Sequence, residues 1–429
     1  MRILLIYNSR ETYTQTVFEH VDSFQKFSEH EWHYVDFADV AKIKNLLSNY
    51  NVIFIHYSVR LPLGNIDNEV GELLQKFSGP KGLFIQDEYE GFNLTKYWIQ
   101  KINFTLIFTA VPNKSISLIY PRTEFPTQRF INNLTGYAPS NLNSEFNLKR
   151  ILPPSKRKLI IGYRGRELSI YYGKLGADKL RIGKDVKGFC RLHNISHDIE
   201  WSEQSRIYGD KWYQFLLSAK SMLGTESGSN VFDWNGDLQN RIKAYKTQYP
   251  HSSDQKIYND LIRPIEHDGL MNQLSPRIFE MAAACTIMIL YEGQFSDIIK
   301  PNVHYFSLKK NLSNLPQIIT KLGNDELVDE MALKTRADLI DSQKYSYSSF
   351  IKIVDREINE LFKISSHVGM QPTHIATREI KAAPTRAKPP IFTGKSSYAT
   401  KVIHKTVRGL WNKLPVPMKK VVKKILIRG

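Results

Sequence analysis

The chain reads as an α/β protein: two Rossmann-like, doubly wound domains facing a cleft, followed by a basic C-terminal tail. Three observations predict this. Short continuous apolar runs, rich in Ile, Leu and Phe, recur along most of the sequence, as parallel strands covered by helices on both faces do. The series pauses between about Pro139 and Lys158, in a stretch with Pro, Ser and Asn and little periodicity, and then restarts. Positive charge gathers at the end: from Gln371 to Gly429 there are fourteen Lys and Arg against one acid, Glu379.

In the first domain, residues 1–150, the predicted strands are "RILLIY" (Arg2–Tyr7), "NVIFIHY" (Asn51–Tyr57), "GLFIQ" (Gly82–Gln86) and "FTLIFT" (Phe104–Thr109). "FEHVDSFQKF" and "NEVGELLQKF" read as crossover helices between them. The second domain, 151–330, opens with the strand "KLIIGY" (Lys158–Tyr163), followed by "HDIEWS". "RIYGDKWYQFLLSAK" reads as helical, and "SMLGTESGS" as a strand running into a Gly/Ser loop. "TIMIL" (Thr286–Leu290) and "VHYFSL" (Val303–Leu308) are further strands. Residues 331–362 read as C-terminal helices, 363–395 as a flexible linker containing "APTRAKPP", and 396–429 as the tail.

A hydrophobic content of 42% with 12% aromatics excludes a disordered chain. Two cysteines, Cys190 and Cys285, exclude a disulfide framework. No run approaches the roughly 20 apolar residues that cross a bilayer, and the N-terminal apolar run is too short for a secretion signal. A cytoplasmic protein is expected. Of the net charge of +17, the last 59 residues hold all but a small part, so the globular region is nearly balanced and nucleic acid is not an expected partner. On a helix, Met418, Val421, Val422, Ile425 and Leu426 share one face, flanked by Lys419, Lys420, Lys423 and Lys424, with Trp411 upstream. Such a tail suits an anionic membrane surface, which places the protein at the inner face of the plasma membrane; a solvated tail is the plainer reading.

Three segments carry candidate chemistry. "GYRGR" ends a predicted strand; glycines admit a ligand close to the backbone, and Arg164 and Arg166 can grip phosphate, with Lys174 and Lys179 downstream. A strand-end turn with solvated arginines would look the same. Glu226 and Ser227 lie on a Gly-bearing loop able to offer a carboxylate, a hydroxyl and amides to a sugar or phosphate, or to form an ordinary turn. Ser275 and Pro276 read as a helix N-cap and first turn, with Arg277 and Glu280 at i,i+3. That helix is otherwise apolar and leads into a buried strand. Its two charges are most useful facing a ligand, the carboxylate on ribose hydroxyls, the arginine and helix N-terminus on phosphate.

"SPRIFEMAAACTIMILYEGQFSDIIKPNVHYFSLKKNLSNL" (Ser275–Leu315) resembles the donor-binding module of group 1 glycosyltransferases, in the branch whose pattern runs Arg-x-Phe-Glu-x-x-Ala-Cys-Gly, an apolar strand and a Phe/Gly/Tyr-rich stretch. "GYRGR…YGKLG", "ESGSNVFDWNG", "IHYSVRL", "LFIQDEY" and "LTGYAP" are similar to segments of such bacterial enzymes, so the resemblance spans about Met1–Phe362. It implies a GT-B fold, a nucleotide-diphosphate-sugar as substrate with no further cofactor, and a glycan or lipid-linked acceptor in surface polysaccharide or lipopolysaccharide synthesis. Glu280 matches the ribose-binding glutamate, and Arg164 or Arg166, with Lys174 or Lys179, the basic pair on the diphosphate. Two positions depart from the pattern: Asn272 stands where many relatives carry a second glutamate, and Thr286 replaces the glycine.

In the first domain His56 ends one predicted strand and Asp87 follows another, both at the sheet edge expected to face the cleft. Either serves as the base an inverting transferase needs, with Glu88 a lesser candidate, or else caps a neighbouring helix. There is no Asp-x-Asp and no Cys/His cluster at ligand spacing, so no metal is expected. An epimerase or hydrolase of the same fold, or a non-catalytic adaptor using its tail, would carry the same pattern.

Overall fold

The computed structural model describes residues 1–139, 142, 146–367, 384 and 386–388. The first sheet contains β1 (Arg2–Tyr7), β2 (Glu31–Asp36), β3 (Val52–Ile55), β4 (Lys81–Ile85), β5 (Leu106–Thr109) and β6 (Arg129–Asn132), in spatial order β2-β1-β3-β4-β5-β6. The second contains β7 (Leu159–Arg164), β8 (His197–Glu200), β9 (Ala219–Gly224), β10 (Ile287–Tyr291) and β11 (Tyr305–Leu308), in order β11-β10-β9-β7-β8. All pairings in both sheets are parallel. The chain thus adopts the two-sheet, doubly wound α/β class that its sequence predicts.

The continuous apolar runs follow from burial on both faces. In β1, Leu4 and Ile6 pack beneath helices Val40–Leu46, Asn68–Lys76 and Phe92–Ile102, while Ile3, Leu5 and Tyr7 point to the other face. That other face is covered by helix Gln15–Phe27 and by Tyr347, Phe350, Ile351, Val354 and Ile358 of the last helix, Tyr347–His367. The polypeptide therefore crosses back from the second sheet to complete the first. In β10, Met288 and Leu290 pack against helices Asp210–Ser218 and Arg277–Ala283; Ile287, Ile289 and Tyr291 face helices Gly173–Leu192, Leu315–Leu322 and Asp325–Arg336.

Several elements escape the sequence reading. Strands β2 and β6 are the two edges of the first sheet, and in their "EWHYVD" and "RFIN" polar or charged residues interrupt the apolar run, although the middle of β2 is buried. The long helix Gly173–Leu192 carries glycines that lower its helix propensity. Two are needed for packing: a Cβ on Gly176 would lie 2.6 Å from the Tyr172 Cβ, and one on Gly183 would lie 3.0 Å from the Tyr163 ring of β7. Helix Asp210–Ser218 passes directly into β9 without a breaker residue. The tail expected at 396–429 lies outside the described residues, as does most of the 363–395 linker, whose first residues continue helix Tyr347–His367.

Candidate active site

In an open α/β sheet a ligand sits beyond the carboxyl ends of the strands, where the strand order reverses. That point lies between β1 and β3 in the first sheet and between β7 and β9 in the second. The two carboxyl edges meet. Beyond β5, Lys114 Nζ donates to Oε1 of Gln294, which follows β10, at 2.5 Å. Gln273 Nε2 donates to Ala110 O at 2.8 Å, and Thr135 Oγ1 to Leu274 O at 2.8 Å. The Gly91 N–H donates to Asp233 O at 2.8 Å and the Asp233 N–H to Tyr89 O at 2.9 Å.

Three cations converge on the cleft from the second sheet. Lys179 projects from helix Gly173–Leu192, Arg166 follows β7, and Arg277 opens helix Arg277–Ala283. Burial pulls the Lys179 ammonium down to about 8, and the neighbouring charges of Arg277 and Arg166 add to the fall; Asp87, from the first sheet, opposes it. Arg277 is held by its guanidinium stacking 5.1 Å over Trp212 and by donation from Nη1 to Arg164 O at 2.8 Å. None of the three is ion-paired among the described residues. Asp87 across the cleft and Glu280 beside Arg277 are two carboxylates against three cations, an excess of positive charge that suits an anion.

Two other expected phosphate ligands are engaged elsewhere. Arg164 pairs with Asp198 at 2.7 Å and stacks 4.2 Å over Phe215, bracing β7 against β8. Lys174 pairs with Asp268 at 3.0 Å on the surface. Their sequence spacing matches the expected pair as well as that of Arg166 and Lys179, and only the fold separates them.

The helix predicted from Ser275 and Pro276 starts at Arg277, one residue later than expected, with Pro276 as its N-cap; the Ile278 N–H bonds to Ser275 O at 3.0 Å in a tightened first turn. Ser275 lies just outside it. Glu280 Oε2 accepts from Trp212 Nε1 at 2.8 Å. Burial raises the Glu280 carboxyl, against that hydrogen bond and Arg277. Its charge is felt by Glu19 of helix Gln15–Phe27, itself raised by burial to about 7, so Glu280 faces the first domain across the cleft. Glu280 and Arg277 thus stand at the mouth of a buried helix because the cleft passes there.

The far end of this seven-residue helix is held by two buried guanidiniums. Arg157 Nη2 donates to Ala284 O at 2.7 Å and Arg336 Nη1 to Ala283 O at 2.5 Å. Cations there complement the exposed carbonyls of a helix C-terminus. Arg157 also donates to Leu216 O at 3.3 Å and Ala219 O at 3.0 Å, which ends helix Asp210–Ser218 and fixes Trp212 beside Glu280.

Glu226 is only 6% exposed. Its Oε1 accepts the Gln294 and Phe295 N–H groups at 2.9 Å each, and its Oε2 accepts Asn272 Nδ2 at 2.5 Å. Ser227 exchanges backbone hydrogen bonds with Gln273 at 2.8 and 3.0 Å, securing the loop. Thr225, Glu226, Asn272, Gly293 and Gln294 line a cavity of about 350 Å³.

From the first sheet, Asp87 reaches the cleft with a 38% exposed side chain. Its backbone is left-handed, φ 59°, an uncommon conformation for a residue with a side chain. Oδ1 accepts from Tyr89 OH at 2.7 Å and Oδ2 lies 3.5 Å from Arg60, which also pairs with Glu90 at 2.6 Å. His56 behaves differently from expectation. It directly follows β3, but its ring is fully buried, 2.9 Å from Ser58 Oγ and 2.9 Å from His20 Nδ1, and burial holds it well below the usual histidine range. The neutral imidazole braces the strand end and does not reach the cleft. Glu88 is buried too, accepting from Thr109, its carboxyl raised to about 7 by burial. Trp212, Arg60 and Glu19 carried no sequence signal; each enters the site through a contact distant in sequence.

No family model and no curated protein matches the chain. Among solved structures, an alpha-glucosyltransferase in complex with UDP-glucose and DNA containing an abasic site aligns at 12% identity over 85% of this chain and 98% of its own, with a TM-score of 0.48. The Anabaena protein HepE in complex with UDP aligns at 11% over 85% and 100%, TM-score 0.46. T4 phage BGT in complex with its UDP-glucose substrate aligns at 12% over 83% and 99%, TM-score 0.42. These likenesses are loose.

Proposed function

We propose that this protein is a glycosyltransferase that moves a sugar from a nucleotide-diphosphate donor to an acceptor hydroxyl. The observation that carries the reading is the unpaired triad Lys179, Arg166 and Arg277 facing Asp87 across the cleft, with Glu280 beside it. The cations take the diphosphate, and Glu280, with Oε2 anchored by Trp212, offers its other oxygen to the ribose hydroxyls. The acceptor hydroxyl approaches from the first sheet. Asp87 removes its proton as the oxygen forms a bond to the anomeric carbon and the bond from that carbon to the diphosphate oxygen breaks. The nucleoside diphosphate leaves as an anion held by the three cations, which stabilise the charge as it develops. Arg60 and Tyr89 orient Asp87 for this role.

We place the enzyme at the inner face of a membrane, acting on a lipid-linked or glycan acceptor in surface polysaccharide synthesis. The amphipathic spacing of lysines and aliphatic residues in 396–429 supports the location, and the resemblance of Ser275–Leu315 supports the pathway class.

The deciding experiment is thermal stability against UDP, GDP, ADP and dTDP. A nucleotide at about 100 times its dissociation constant adds roughly 2.7 kcal/mol, an easily read shift. A shift with one base that is lost in Glu280→Ala supports the donor site; no shift with any of them sinks it.

A further inference from the structure

Beside the cation triad lies the cavity bordered by Glu226. Leu175 lines it, and Leu175 and Lys179 stand one helical turn apart on the same face of helix Gly173–Leu192. A group attached to a diphosphate on Lys179 has this cavity one helical turn away. Its volume, about 350 Å³, takes a single sugar ring.

The charge of the wall is specific. Asp178 is neutralised by Lys310 at 2.6 Å and Arg181 at 3.0 Å, and Asp268 by Lys174 at 3.0 Å. Glu226 has no ion pair among the described residues. Its three hydrogen bonds come from uncharged donors: the Asn272 amide and the Gln294 and Phe295 backbone N–H groups. These donors hold the carboxylate in place while leaving its charge whole. The orientation of Asn272 is fixed in turn, because its Oδ1 accepts from Asn230 Nδ2 at 2.8 Å, and Asn230 Oδ1 accepts the Met271 N–H at 2.8 Å. Room for the carboxylate is made by Gly293: a Cβ there would lie 2.6 Å from Glu226 Oε2. Glu292, on the same wall, is exposed and has no ion pair among the described residues.

We infer that this cavity takes the transferred sugar and selects an uncharged one, a neutral hexose over a hexuronic acid, with Glu226 setting the selection. Ring hydroxyls can donate to the lone pair that Oε2 has left, whereas a sugar carboxylate meets a fixed like charge on the cavity wall. The inference rests on the donor reading, since the cavity matters only if the triad holds the diphosphate.

The test uses the full chain and calorimetric titration. Each of the four nucleoside diphosphates is compared with its hexose and its hexuronate ester, UDP-glucose against UDP-glucuronate for example. The expected result is a hexose ester binding at least as tightly as the bare diphosphate and a hexuronate ester binding roughly tenfold or more weakly. In Glu226→Gln that ratio shrinks toward one. Equal affinity of the two esters for the natural protein overturns the inference while leaving the donor reading intact. Failure of every nucleoside diphosphate to bind overturns both. Should Glu226→Gln fail to fold, the comparison on the natural chain still decides.

Discussion

Trp212 donates its indole N–H to Glu280 at 2.8 Å while Arg277, one helical turn before Glu280, lies over the same indole at 5.1 Å. One aromatic ring thus fixes both charged groups at the mouth of the cleft. Replacing Glu280 by Ala removes the bonds proposed to the ribose, and charge-assisted bonds contribute about 1.5–3 kcal/mol. Nucleotide affinity is expected to fall at least tenfold. Trp212→Phe keeps the ring and loses the donor, with an expected loss of a few fold, about 0.5–1.5 kcal/mol. Titration calorimetry reads both, and an unchanged affinity in Glu280→Ala would remove this residue from the site.

Asp87 separates binding from chemistry. Asparagine tolerates the left-handed backbone as aspartate does, so Asp87→Asn preserves the turn at φ 59°. Turnover is expected to fall by roughly 10²–10⁴. Donor affinity should not weaken, since a negative group is lost from the site proposed to hold the diphosphate. A variant retaining full turnover would show that the base lies elsewhere.

The depressed Lys179 ammonium gives stability and affinity opposite pH dependences. Its folded value is about 8 against an ordinary 10.5. Between those values the unfolded chain binds more protons than the folded one, so this group makes the unliganded protein more stable as pH rises through that window. Donor affinity is expected to fall over the same window, because the cation proposed to hold the diphosphate is being lost. Lys179→Arg keeps the charge and should flatten the affinity profile. Parallel titrations and melts at pH 7, 8 and 9 are sufficient, and an affinity independent of pH in the natural protein would exclude Lys179 as a ligand.

Arg157 is 4% exposed and bonds five acceptors, the carbonyls of Leu152, Leu216, Ala219 and Ala284 and the Thr286 hydroxyl. Truncating it to Ala orphans buried carbonyls at two helix ends and should destabilise the fold by about 3–5 kcal/mol. Chemical denaturation measures this; a change below 1 kcal/mol would mean that water replaces the guanidinium.

Binding to anionic vesicles tests the tail. Each Lys or Arg near such a surface contributes about 1 kcal/mol. The full chain should sediment with phosphatidylserine vesicles at low salt and lose them at high salt, and a chain ending at residue 388 should not bind. Retention by the shortened chain would move the membrane contact to the globular body.

Much of the architecture was legible because burial on both faces writes itself as apolar runs: "RILLIY" is β1 residue for residue. The edges β2 and β6 were not, since polar residues interrupt both runs, among them His33 of β2, buried but held to Glu31 at 2.8 Å. The end of helix Asp210–Ser218 was illegible for another reason. Its stop signal is Arg157, far upstream, instead of a local glycine or proline. At the site, residue type announced Asp87, Glu226 and Glu280, but direction is a tertiary property. Among four basic candidates in one segment, Arg166 and Lys179 turn to the cleft while Arg164 and Lys174 turn to Asp198 and Asp268. His56 shows the same limit, its ring turned inward to His20.

The return of helix Tyr347–His367 to the first sheet has a consequence for biosynthesis. As the chain leaves the ribosome, Ile3, Leu5, Val52, Phe54 and Phe84 must wait for Phe350, Ile351 and Val354 before that face is sealed. The first sheet cannot mature as an independent unit, however early its strands appear. Closure over so long a sequence separation is slow, and a ribosome-stalled or proteolysed fragment ending before residue 347 would display a wide greasy face to chaperones and to its own copies.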